Sequence, residues 1–479
     1  MNTNSVVVAV ERTLTSLSPR SWASVVDAVV GHHVYEPLVA YDASVRIVGR
    51  LARSWEVLDG GRAWRFSLAP GRTFHDGRPV DSVAVMAAFG ELSIRRMGLS
   101  SFLESMSADG PQALVFRLRR PFAPLLDRLA NPFAVVAPPG DGGLVPPGSG
   151  PYVHDRRSED GRVHLLRRPA GGAEDRRGIP GEISFVPALG GVEMWRALVD
   201  RRADAAYEVP YAVAAGRERH AHVTVRTSPS LSVNTLTFNT RDPALSSLAV
   251  RRRVAELVDR QELLTSVHEG VGTIPSGPVP PASPFYVARG ARDEAASVAA
   301  EPGARGTLPS RLELLATEGT TPAFLTVLRD QFARNGVELA VRLAPFAKLM
   351  LDVHFRRFQI VLLGMATSAD PDLTMYGSFH SVGGKNVCGL MDAEYDALVE
   401  RAREEASIET RTELYALATA RLESLSPAVF LRHGLSIAAH ASDLEGIVAT
   451  PMNILDASRA VRLAGKGFSA NAAGDDKAC

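Results

Sequence analysis

RLELLAT at 311–317, TPAFLTVLRDQFARNGVEL at 321–339 and FQIVLLG at 358–364 read as strand, helix and strand. The two flanking runs are short and apolar, and a helix separates them. That pattern implies a sheet covered on both faces, hence an α/β fold. Gly336 marks the end of the helix. Upstream, LSVNTLTFNT (231–240) reads as a strand and VRRRVAELVDRQELLTSVHEG (250–270) as one long amphipathic helix ending at Gly270. PSGPVPPASP (275–284) reads as a rigid extended loop. Downstream come two helices, 394–407 and 408–426, and strands at 428–433 and 444–450.

Before residue 230 the texture changes to hairpins. WEVL and AWRFSL pair around the turn Asp59–Gly61, with Trp64, Phe66 and Leu68 on one face. FHDGRPVD turns on Asp76–Gly77, and Asp81 or Ser82 caps a helix through 83–92. Further hairpins turn on Asp109–Gly110 (107–118) and Asp160–Gly161 (152–169), with a Pro/Gly loop at 138–151 between them. Residues 183–209 read strand, loop, helix, strand, and Val6–Val10 is a buried strand. Two halves joined near residue 230 leave a cleft, where small ligands usually bind.

The totals agree with this and exclude several functions. At 479 residues the chain is too long for a single core. Apolar residues are 46% and charged residues 22%, and Lys+Arg and Asp+Glu both number 53. Nothing global attracts nucleic acid or an anionic membrane. Two cysteines, Cys388 and Cys479, exclude a disulfide framework and a cysteine-rich metal site. Cys388 reads as a small buried hydrophobe, and the tail holding Cys479 as disordered. No HExxH, Walker loop or GxSxG is present, so neither a cofactor nor a metal is expected.

SADPDLTMYGSFHSVGGKN, 368–386, is the most unusual segment. It is polar and Gly-rich and follows an apolar strand, where α/β sites gather. Asp370 or Asp372 is placed to accept from a ligand ammonium. Equally, Asp372 reads as the cap of a short helix at LTMY. Tyr376 and His380 face either a ligand or the core. His32 and His33 are adjacent, so in a strand they point to opposite faces and do not easily share one metal.

An ordered set of pieces resembles the extracytoplasmic solute-binding proteins of ABC importers, in the large peptide/nickel-binding family. The pieces are VYEPLVAYD (34–42), LARSWEV (51–57), RAWRFSLAPGRTFHDGRPV (62–80), PPGSGPYV (146–153), MWRALVDRRADAA (194–206), the run 235–264, and the strand with its DPD loop. The similarity spans roughly 5–460. It implies an α/β, bilobal periplasmic-binding-protein-like fold (type II, the large peptide-binding class with an extra subdomain). Lobe I would be 1–230 with a subdomain at about 45–165, completed by 431–464. Lobe II would be 231–430, and 465–479 a tail. The resemblance also implies hinge closure on a small solute, peptide or peptide-like, without chemistry. It gives Asp370 or Asp372 the peptide's amino terminus. Relatives line the pocket from the segment just before VYEPL, which here brings Trp22, His32 and His33, and Tyr376, His380 and Asn386 are the further ligand-binding candidates in 368–386. MATSAD stands where the family often has a tryptophan, which argues against a nickel chelate. An ABC permease is the expected partner, and the protein is expected to be a monomer. The expected location is extracytoplasmic if a leader was removed and cytoplasmic if the chain is complete as it stands, since MNTNSVVVAV shows no leader. In the second case the same cleft would serve an intracellular carrier or an enzyme. That enzyme would use a histidine, His32 or His33, with a carboxylate, Asp370 or Asp372.

Overall fold

Val6, Val8, Ala9 and Val10 of the strand Ser5–Val10 are all buried. A strand apolar on both faces suits the middle of a parallel sheet, and this one pairs in parallel with Glu182–Pro187 and with Ala205–Tyr207. The computed structural model describes residues 5–463 apart from 23, 139–144, 169–178, 217, 289–306, 367 and 453. Among these, Ser5–Val10 belongs to a ten-stranded sheet. Its order is Tyr152–Arg157, Val163–Arg167, Glu182–Pro187, Ser5–Val10, Ala205–Tyr207, Ala428–Ala441, Val223–Phe238, Ile360–Ala366, Arg311–Thr317, Glu338–Ala344.

At one end, Arg311–Thr317 lies between Ile360–Ala366 and Glu338–Ala344, parallel to both. The helix Pro322–Ala333 buries Phe324, Leu325, Leu328 and Phe332 in one core with Leu312 and Leu314. The helix Phe346–His354 puts Leu349 and Val353 into another core, with Leu315 and Val361. Residues one apart on a strand face opposite ways, so both faces of the sheet are covered.

Two long strands, Val223–Phe238 and Ala428–Ala441, pair antiparallel through the middle of the sheet. Their register slips between Pro229 and Val233, which oppose Leu435 and His433. Pro229 has no N–H to give the ladder, and the extra residues bulge there. The second strand runs well past His433, where its sequence reading stopped. Arg432, His433, Ser436 and His440 are buried in it, and polar residues hide a strand from hydropathy.

A separate four-stranded antiparallel sheet has the order Ala52–Leu58, Ala63–Leu68, Ala113–Leu118, Leu103–Ala108. Two of the three expected hairpins are in it, and the third, Tyr152–Arg157 with Val163–Arg167, is at one end of the ten-stranded sheet. The first turns through Asp59, Gly60 and Gly61 with φ of 50, 60 and 89°. Phe66, Phe89 and Phe116 fill its core, and Phe102 stacks on Phe122 at 3.9 Å. Two expected helices divide. The run 250–270 forms Leu248–Glu256 and Arg260–Val267, because Asp259 leaves the helix and its Oδ1 accepts the Glu262 N–H at 2.9 Å. Asp81 caps Ser82–Ala88 as expected, but Glu91–Arg96 is a second helix. Only Leu444–Glu445 of 444–450 is strand. The tail expected at 465–479 lies outside the described residues.

The FHDG turn and the PPGSGPYV loop are scaffold. His75 N donates to Gly148 O at 2.8 Å, and His75 Nε2 donates to Gly150 O at 3.0 Å. Gly148 rests on the Val34 carbonyl, which a Cβ would overlap. Gly148→Ala is therefore expected to cost about 1–3 kcal/mol, as overpacking does. Its urea midpoint should fall, and a midpoint equal to the parent's would contradict the packing.

Candidate functional site

The helix Asp372–Phe379 follows the strand Ile360–Ala366. Asp372 is the first residue of the helix and does not cap it; Pro371 holds the N-cap position, and Asp370 Oδ1 accepts the Asp372 N–H at 3.0 Å. Both carboxylates are buried and already matched. Asp372 lies between Arg128 and Arg403, with Arg403 Nε 2.6 Å from Oδ1. Asp370 takes Arg411 at 2.7 Å. Neither is left open to a ligand ammonium in this arrangement. A third carboxylate, Asp127, completes the cluster from the helix Leu125–Leu129. Its Oδ1 accepts from Tyr41 Oη at 2.6 Å, from Ser368 Oγ and from Asp370 N at 3.4 Å. Burial, then the Asp370 charge, push Asp127 up to about 6.

Tyr376 lies under this cluster, with the Arg403 guanidinium 3.4 Å from its ring centroid, a cation–π contact. His380 stacks on Tyr376 at 4.0 Å. Its Nδ1 accepts the Val382 N–H, so Nε2 carries the proton and donates to Glu400 at 3.2 Å. Asn386 ties the loop behind: Nδ2 donates to His380 O and Leu390 O, and Oδ1 accepts from Gly389 N and from the Cys388 thiol. Cys388 is buried, and burial pushes its thiol up to about 11.

The other three sequence candidates lie elsewhere. Trp22 is in the core against Tyr35 and Phe133, and its ring occupies the space a Cβ on Gly31 would need. His33 is buried, donating from Nδ1 to Val29 O and accepting the Ala457 N–H at Nε2. Burial lowers its pKa. His32 donates to Pro132 O at 3.1 Å and lines a cavity of about 450 Å³ with Arg50 and Asp456. Burial, with His33 beside it, pulls His32 down to about 4. The adjacent histidines thus diverge, and the structure does not bring either to Asp370 or Asp372. Among the described residues no group of three or more His, Cys, Asp or Glu is placed to hold a metal ion.

A cavity of about 580 Å³ is lined in part by residues of 368–386. Asn234, Gly364 and Met365 come from the paired strands, Thr374 and Ser378 from the helix after them, and Lys385 from the loop. Phe346 and Met350, 68% and 43% exposed, stand at its wall. Lys385 and His354 are its only ionisable lining side chains, and no carboxylate lines it among the described residues. Lys385 keeps solvent contact, yet crowding by the surrounding protein, and then the Arg128 charge, lower its ammonium's pKa. No ion pair reaches it among the described residues. Sequence reasoning passed over Lys385, Asp127 and Arg128. Lys385 is one of four lysines in the chain and sits in the segment singled out, a signal that was there to use.

The description "Bacterial extracellular solute-binding proteins, family 5 Middle" matches residues 46–386. The glutathione-binding protein GsiB of Pectobacterium atrosepticum is 24% identical over 288 residues, 57% of this chain and 55% of that protein. The chain thus spans about half the length of the curated relatives it matches. The periplasmic binding protein DppA of Helicobacter pylori, solved with the peptide STSA, has a TM-score of 0.78 at 17% identity, covering 96% of this chain and 98% of that one. HbpA2 of Haemophilus parasuis has a TM-score of 0.80 at 18% identity, covering 96% and 100%. These likenesses give the fold, the bilobal periplasmic-binding-protein type, and the match over 46–386 gives the family: the chain belongs to the bacterial extracellular solute-binding proteins, family 5.

Proposed function

We propose that this chain binds a small peptide-like solute bearing a carboxylate in the cavity of about 580 Å³, as the solute-receiving component of an ABC importer. The observation that carries this reading is the lining itself. A single lysine, unpaired among the described residues, faces a wall of apolar side chains and neutral hydroxyl and amide groups, with no acidic group to compete. Such a site favours an anion with an apolar body. The glutathione-binding relative and the peptide-bound neighbour support the solute class. In this reading Asp370 and Asp372 hold the wall and do not touch the solute's amine. Lobe I is 1–230 with 431–464, including the subdomain at about 45–165, and lobe II is 231–430. The hinge is the slipped register at Pro229–Val233 opposite Gly434. Closure would cover Phe346 and Met350, whose exposure otherwise costs hydrophobic free energy. The site of action is outside the cytoplasm, with a permease as partner.

Calorimetry with glutathione and a set of di- and tripeptides, each as free acid and as C-terminal amide, tests this. Acids should bind, and both amidation and Lys385→Gln should weaken binding by about 10- to 100-fold, the scale of a lost charged hydrogen bond. Equal binding of acids and amides, or no binding of any peptide, would sink the reading.

A further inference from the structure

A second cavity, of about 420 Å³, is lined by Asp127 and Asp370 of the carboxylate cluster and shares no lining residue with the first. Trp64 and Phe122 come from the four-stranded unit, and Phe285 and Ile408 from the facing side, with Asp127, Asp370 and Arg411 on the polar wall. The charges there are not equal in standing. Asp370 and Arg411 are paired with each other at 2.7 Å. Arg46 is paired with Asp42 at 2.8 Å, and Glu404 stands 3.8 Å from Arg120. Asp127 differs: every hydrogen bond it receives goes to Oδ1, and among the described residues none reaches Oδ2. Trp64, 6% exposed, lines the same space, and its indole N–H meets no acceptor among the described residues.

We infer that this cavity is a second binding site, for an amphipathic amine whose ammonium pairs with Asp127 Oδ2 while its apolar body lies among Trp64, Phe122 and Phe285. The chemistry is that of an ammonium between a carboxylate and aromatic faces, which gains both a charge-assisted hydrogen bond and cation–π attraction out of bulk water. A buried carboxylate beside a second one is costly, and the Arg128 charge offsets only part of that cost. Burial and Asp370 push Asp127 up, which is the signature of that cost, and a bound ammonium removes it. The site does not depend on the solute reading, because the two cavities have no residue in common.

The test uses 2-phenylethylamine and its neutral analogue 2-phenylethanol with the full chain, read by calorimetry and by tryptophan fluorescence. The amine should bind at least tenfold more tightly than the alcohol. Asp127→Asn should abolish that preference while leaving the alcohol's affinity unchanged. Ile408→Lys, at a 57% exposed position on the rim, should weaken the amine by like charge without disturbing the fold. Lys385→Gln should leave the amine's affinity as it was. No binding, equal binding of amine and alcohol, an Asp127→Asn or Ile408→Lys protein that binds the amine like the parent, or loss of the amine in Lys385→Gln would each overturn the assignment.

Discussion

Asp372→Ala is expected to destabilise the protein by about 3–5 kcal/mol, the cost of breaking a buried ion pair from one side. Asp372 is 1% exposed and bonded to two guanidiniums, Arg128 and Arg403, which are themselves buried. Removing the carboxylate takes its nearest counter-ion from each buried cation, leaving Arg128 only the Asp127 and Asp370 charges. Arg403 has a partial refuge in the Tyr376 and Phe102 rings, and Arg128 has less. The loss should therefore persist in Asp372→Asn, which keeps the shape and drops the charge. Replacing the three charged residues together, Asp372→Leu with Arg128→Met and Arg403→Leu, should recover most of it, because buried ion pairs trade nearly evenly against apolar packing. Urea unfolding of the three variants reads the series. Arg334→Ala, which breaks an exposed pair with Glu262, serves as a control that should not move the midpoint. If Asp372→Ala matched that control, the cluster would hold nothing together.

The same cluster shows what was legible in the sequence. The region 311–364 could be read because a strand buried on both faces is apolar throughout and a covering helix separates it from its neighbour. The hairpins could be read because Asp-Gly turns announce themselves. The segment 368–386 stood out by composition, and it does border both cavities, through Lys385 on one and Asp370 on the other. What the sequence withheld was which charges were already spent. Asp127 and Arg128 sit in PLLDRLA, which looks like an ordinary amphipathic turn with a solvated pair. Their partners, Ser368 and Asp372, lie 241 and 244 residues further on. A carboxylate's availability is a property of its neighbours in space, so two aspartates that looked open are closed and one that looked routine is not. Arg432 and His433 ended the sequence reading of the last long strand for the same reason. Arg432 donates to Val271 O and Tyr211 Oη, 161 and 221 residues away.

Asp127→Asn should change how stability depends on pH, and the sign follows from the direction in which its pKa moves. A carboxyl raised from 3.8 to about 6 on folding holds its proton in the native state over a window where the unfolded chain has released it. Stability from this group is therefore fully present below the lower value and is lost as pH rises towards the upper one. The groups that face it set the size of the effect: burial and Asp370 raise it, while Arg128, Ser368 and Tyr41 hold it down. The asparagine has no charge to bury at any pH, and its amide oxygen can still accept from Tyr41 and Ser368. The variant should match the parent near pH 4 and exceed it by roughly 2–3 kcal/mol at pH 7.5, because each pH unit between the folded and unfolded values is worth about 1.4 kcal/mol. Measuring the difference between the two proteins cancels every titration they share. A difference that stays flat from pH 4 to 7.5 would show that Asp127 is ionised in the native state throughout, with a cation close by. A difference that appears, and is then erased by saturating 2-phenylethylamine, would tie the stored electrostatic cost to the second cavity directly, since the ammonium stabilises the one form of Asp127 that the empty protein disfavours.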